Sequence, residues 1–146
     1  MTSSSTGITN MSATVSSAGG LKFFATTNIG NEIFFEPSPA LGGSGMTPNP
    51  MEYYIAAIGG CAAIKTILDL AALGTAPESL SVNVTCTRRE TLPQILKTIH
   101  LTFTVKGNLD NATVAAVIRD VMTLHCPVAV MAAASVKVTW EHQVVV

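Results

Sequence analysis

Cys61 and Cys126 are the residues of this chain whose types and settings point to chemistry. Cys61 lies inside a long, almost uncharged helical stretch. Cys126 lies in Leu124-His125-Cys126-Pro127-Val128, where one helix should stop and another begin. A reactive thiol needs help to become a thiolate and a second thiol to resolve its oxidised form, so two such positions in one small chain suggest a redox pair. At Cys126 the N-terminal end of a helix opened by Pro127 favours the thiolate by about 0.3–1 kcal/mol, at most about 2, which lowers a thiol pKa from about 8.5 to roughly 7 at best. A nearby cation is still required for a fully formed thiolate. Each cysteine also has an inert alternative, since free cysteine packs readily as a small apolar filler. Cys61 has Ile58, Ile64 and Leu68 as helical neighbours, and Cys86 shares a strand face with Val82 and Val84 and reads as structural.

Glu52 is the third candidate. On one straight helix the nine residues from Glu52 to Cys61 amount to about 13.5 Å along the axis, with the two side chains on opposite sides. If both serve one site, Glu52 must reach a Cys61 of another chain. Otherwise it is a first-turn acid that suits the helix N-terminus. Three cysteines and three histidines show no paired short spacings of a zinc site, so neither a metal nor a cofactor is expected.

These residues must be positioned by a chain of 146 residues, enough for one core without disulfide staples. Charged residues make up 12% and the net charge is −1, so no basic surface invites nucleic acid or anionic lipid. A hydrophobic fraction of 48% and a mean hydropathy of +0.44 exceed what one small globule comfortably hides, which predicts a homo-oligomer. Residues 1–6 lack the basic cluster and apolar run of a secretory signal, and the longest apolar segment, Tyr53 to Ile64, is too short to span a bilayer. A cytoplasmic protein with no membrane partner is expected, its thiols kept reduced.

Residues 1–20 are rich in Ser, Thr and Gly. They form an N-terminal segment, flexible in part or carrying a first strand at Ile8 to Val15; residues 21–146 read as a single domain. Strands over Leu21 to Thr26 and Glu32 to Phe35 complete a meander. The run from Pro37 to Pro50, with three glycines and two further prolines, suits neither helix nor strand. Pro50 to Leu73 is a helix apolar nearly all round, stopped by Gly74, with Lys65 and Asp69 as its wet edge and Gly59-Gly60 marking a close approach, most simply of another helix. Ser81 to Glu90 and Thr98 to Lys106 alternate with period two, as half-buried antiparallel strands do. Asn108 or Asp110 caps a helix to about His125 that buries Val114, Val117, Ile118, Val121 and Met122. Pro127 opens a short helix to about Ala134, and a strand from Ser135 to Val145 closes the order β-β-β-α-β-β-α-α-β.

Several segments taken together are similar to the osmotically inducible protein C (OsmC) and organic hydroperoxide resistance (Ohr) family. They are Asn49-Pro50-Met51-Glu52, Ala56-Ala57-Ile58-Gly59-Gly60-Cys61, Ile99-His100-Leu101-Thr102-Phe103, Val105-Lys106-Gly107 and Cys126-Pro127-Val128. The similarity runs from about Leu21 to Trp140 and is nearest to the less characterised OsmC-like branch. It implies an α+β fold in which antiparallel sheets wrap around two central helices of an intertwined homodimer, with sites between subunits. It also implies a thiol peroxidase, peroxiredoxin-like in its chemistry. Cys61 attacks an organic hydroperoxide, Cys126 resolves the sulfenic acid as a disulfide, and a dithiol such as a lipoyl protein reduces it, with Glu52 orienting a cation or the peroxide. The helix dipole alone would favour Cys126 as the thiolate; the resemblance reverses that order. Peroxidase members place the glutamate directly after Asn-Pro, where this chain has Met51, and bring an arginine from the first hairpin. Here Lys22 is the only basic residue before Lys65, so Lys22, Arg88 and Arg89 are the candidate charge partners, and of the two arginines one strand can turn at most one inward. Two other functions stay open: a non-catalytic protein that binds a small apolar ligand at the dimer interface, and a thiol redox sensor.

Overall fold

The computed structural model describes residues 10–146, and the start of the expected first strand, Ile8 and Thr9, lies outside them. The chain divides into two compact units, one reaching to Tyr53 and one running from Tyr54 to Val146.

The N-terminal unit is an antiparallel meander, β1 (Ala13–Ser17), β2 (Phe23–Thr27) and β3 (Glu32–Phe35), in that spatial order. Aromatic residues stabilise it: Phe24 and Phe34 lie with ring centroids 6.2 Å apart, and Phe35 meets Tyr53 edge to face at 5.0 Å. The proline- and glycine-rich run that follows is not wholly irregular. Pro39–Leu41 makes one 3-10 turn, because proline suits its first position and Gly42 closes it in the left-handed region at φ 103°. The run is folded tightly: the Glu36 carboxylate accepts hydrogen bonds from Ser44 N at 2.7 Å and Ser44 Oγ at 3.0 Å. A Cβ at Gly43 would stand 1.8 Å from the Pro37 carbonyl oxygen, so only glycine fits there.

The long helix α1 spans Pro50–Ala72. In the C-terminal unit β4 (Ser79–Arg88), β5 (Leu96–Lys106) and β6 (Lys137–Val145) form one sheet in the order β4-β5-β6. The β4–β5 pair is antiparallel as the alternation predicts, but β6 runs parallel to β5, so the sheet is mixed rather than antiparallel. A parallel neighbour cannot follow through a tight turn and needs a crossover. Here the crossover is α2 (Asn111–Asp120), a π turn (Val121–His125) and α3 (Pro127–Ala133). Ile99, Leu101, Phe103 and Val105 of β5 are fully buried, with Val114, Val117, Ile118, Val121 and Met122 of the crossover also in the core. Each such side chain contributes about 1.5–3 kcal/mol of burial.

Candidate active site

Cys61 sits midway along α1 and is half-buried. Two positions earlier, Gly59 explains how α1 approaches the sheet: a Cβ there would come within 2.8 Å of Val84 Cγ2 on β4, while Gly60 has open space around it. Gly59 therefore admits a strand side chain rather than the helix that was the simplest expectation for the close approach. The expected wet edge of α1 also differs. Lys65 and Asp69 are only half-exposed, whereas Ile64 and Leu68 are 62% and 56% exposed. Asp69 turns to another element: its Oδ2 lies 2.7 Å from Nδ1 of His125.

Pro127 fixes the geometry of Cys126. Proline has no N–H and disfavours helical backbone in the residue before it, so the crossover helix cannot run through this point. Its last regular residue is Asp120. The chain then widens into the π turn, closed by Cys126 N donating to the Val121 carbonyl at 2.8 Å, and Cys126 itself is extended at φ −94°, ψ 101°. The cysteine sulfur becomes the N-cap of α3, accepting from Ala129 N at 3.4 Å. This geometry brings the Cys126 thiol beside the Cys61 thiol, near enough for hydrogen bonding and charge between them to act on its ionisation. Both are free thiols.

The electrostatics of Cys126 run opposite to the helix-dipole expectation. Burial pushes its thiol up to about 11, the Cys61 thiol pushes the same way, and the N–H groups of Ala129 and Val128 recover only part of the loss. Desolvation wins because the sulfur is completely buried, at 0% exposure, and α3 is only seven residues long. Cys126 is a protonated thiol at neutral pH.

The other expected site residues are held by local partners. Glu52 completes a cap of α1: its N–H donates to Asn49 Oδ1 at 2.9 Å, and its carboxylate accepts from Asn49 Nδ2 at 2.8 Å. Lys22 lies with its ammonium 5.3 Å from the centre of the Phe34 ring. Arg88 Nε donates to the Gln94 carbonyl and Arg89 lies near Thr91, so both guanidinium groups bind the β4–β5 loop. The register shifts between Thr87 and Arg88, and the strand ends there, which overrides the simple alternation of faces expected for the arginines. Cys86 is half-buried on β4 and has no disulfide partner. No cluster of three or more His, Cys, Asp or Glu residues suited to a metal occurs among the described residues. Sequence reasoning missed the Asp69–His125 pair, for which the only signal was that a histidine precedes Cys126.

A family model described as OsmC-like protein matches residues 42–141. The chain belongs to this family. Over 137 residues it is 33% identical to protein YhfA of Escherichia coli strain K12, a match covering 92% of this chain and 98% of the relative. The organic hydroperoxide resistance protein OsmC of Legionella pneumophila superposes on this OsmC-like chain with a TM-score of 0.72 at 19% identity, covering 94% and 97% of the two chains. An organic hydroperoxide resistance protein of Elizabethkingia anophelis gives 0.72 at 16% identity, covering 93% and 98%. At those identities the two structures establish the shared α+β fold.

Proposed function

We propose that this OsmC-like protein is a cytoplasmic, thiol-dependent reductase of organic hydroperoxides. The observation that carries the reading is the adjacency of a half-buried Cys61 and a fully buried Cys126 on two different elements. The Cys61 thiolate attacks the O–O bond, taking one oxygen as a sulfenic acid while the other leaves as an alcohol with a proton from solvent. The Cys126 thiol then attacks the sulfenic sulfur, the S–S bond forms, and its proton leaves with the hydroxyl as water. An external dithiol returns both cysteines to thiols and is itself oxidised to a disulfide. Division of labour follows from environment: Cys126 is too strongly protonated to attack first and too buried to meet stray oxidants. Glu52 serves by fixing the start of α1.

The reading includes a homodimer. Tyr54, Ala57, Cys61, Ile64 and Leu68 follow one another at alternate spacings of three and four, the pattern of a helix seam. Tyr54, Ile64 and Leu68 are exposed large side chains, which a second copy of α1 would cover. By length and composition the whole of α1, Pro50–Ala72, is apolar enough to cross a bilayer, a test that the core helix of a folded protein also passes, although its uncharged segment from Tyr53 to Ile64 is shorter.

Addition of an alkyl hydroperoxide to the reduced protein is expected to consume two thiols per chain, with Cys61→Ser abolishing the loss and Cys126→Ser leaving a sulfenic acid that a cyclic diketone traps. Thiol loss in Cys61→Ser equal to wild type would sink the reading. Oxidation at one equivalent without continued turnover on adding a dithiol identifies a sensor instead. A second reading rests on the N-terminal unit, where a hollow of about 600 Å³ is lined by Leu21, Phe23, Phe35 and Leu41. That size and lining suit a small apolar ligand, and saturable binding of a fluorescent fatty amide with no peroxide turnover would favour it.

A further inference from the structure

Besides the thiol pair, α1 meets the Cys126 corner through the 2.7 Å contact of Asp69 Oδ2 with His125 Nδ1. Asp69 is eight residues beyond Cys61, about 12 Å along the helix axis, and His125 immediately precedes Cys126. His125 is also the last residue of the π turn, whose hydrogen bond spans one residue more than that of regular helix and closes on the Cys126 N–H. The imidazole thus ties the widened turn to the helix that carries the opposing thiol.

From this arrangement we infer that Asp69 and His125 are positioning residues for disulfide closure, a latch that holds the Cys126 backbone in register with Cys61. The inference rests on the thiol-pair reading above. A disulfide needs the two Cα atoms about 4.4–6.8 Å apart and a torsion near ±90°, so a corner free to relax toward ordinary helix would present its sulfur in that geometry less often. The latch acts through backbone placement and not through charge on the sulfur, because neither His125 nor Asp69 is among the groups that perturb Cys126. Lys65 lies one turn earlier on α1, and Asp120 lines the same hollow of about 240 Å³ with Val117 and Leu73. Asp120 is engaged by Arg119 at 3.2 Å. With His125 and Asp69 side chains 48% and 30% exposed, the pair adds little to global stability. Its removal should therefore spare the fold and change the geometry of one corner.

The test equilibrates the full chain in glutathione redox buffers and reads the effective concentration of the Cys61–Cys126 pair, with thermal melting followed in parallel. His125→Ala and Asp69→Ala are each expected to lower it about fivefold, the lower end of coupling through one contact. The double variant should fall no further than either single, since both remove one interaction. His125→Gln, whose amide can still donate to Asp69, should recover part of the loss. Wild-type values in both singles overturn the latch, as do losses that multiply in the double variant or a His125→Gln no better than His125→Ala. A wild-type chain that forms no disulfide even in oxidising buffer overturns the thiol-pair reading and the latch with it; normal closure in wild type and variants alike overturns the latch alone.

Discussion

A buried thiol held in its protonated form is a poor attacker and a well-guarded resolver, and at Cys126 this state follows from the loss of water around one sulfur atom. The consequence is measurable as a dependence of stability on pH. The folded chain keeps the Cys126 proton until about 11, while an unfolded cysteine releases it near 9.0. Between those values the unfolded state binds fewer protons, so the contribution of the protonated thiol is complete below the lower value and is lost as pH rises through the upper one. The urea midpoint of wild type should accordingly drop more than that of Cys126→Ala between about pH 8 and about pH 10.5, and equal drops would contradict the burial of that sulfur. Native-state alkylation at neutral pH should label Cys61 well before Cys126. The sequence made both cysteines visible as a pair, through Pro127 at one and an uncharged helix around the other. Read from local features alone it favoured Cys126 as the thiolate, and only the family resemblance reversed that order, because the field of a helix end is local and legible while desolvation depends on residues distant in the chain.

The secondary elements were legible where the hydrophobic period is strong and less so where a single residue diverts the backbone. The alternation of Ile99, Leu101, Phe103 and Val105 and the stripe from Val114 to Met122 correspond to the observed core. The π turn before Cys126 was not foreseen, because a proline announces a break without specifying how the preceding turn will satisfy its N–H groups. The parallel pairing of β6 was equally hidden, since alternation identifies a strand but not its neighbour's direction. The glycine pair offers a sharp test at this scale. Gly59→Ala drives a methyl into Val84 and should destabilise the chain by about 1–3 kcal/mol after any gain in helix propensity. Gly60→Ala meets no atom within 4 Å and should be neutral or stabilising by up to about 1 kcal/mol. Chemical denaturation of the two variants distinguishes them, and equal effects would contradict the helix-on-sheet contact. Asn49→Ala removes the side chain that caps α1 and should cost about 1 kcal/mol, visible in the same experiment.

At the scale of the whole molecule, the apolar excess read from composition resurfaces as a helix face whose large side chains stand exposed among the described residues. Ile64 and Leu68 stand exposed on the same side of α1 as Cys61. Burial of each by a second copy is worth about 1.5–3 kcal/mol, so Ile64→Glu or Leu68→Glu should weaken self-association at least about tenfold. Sedimentation equilibrium measures this directly. A wild-type chain that stays monomeric at high micromolar concentration would remove the dimer from the proposed function, and undiminished association in both variants would place the interface elsewhere.

By itself the sequence determined the order and type of the elements, membership in a family known by its ordered motifs, and the identity of two candidate thiols. These are properties of local pattern: hydrophobic period, a proline that forces extended backbone before it, glycines where a side chain would intrude. Tertiary structure decided what surrounds each group. It put Cys126 in a dry core beside Cys61, tied Glu52 to Asn49, and turned Asp69 from its helical neighbour Lys65 to His125. Protonation and partnership depend on distances between residues far apart in the chain, and those distances exist only once the elements have packed.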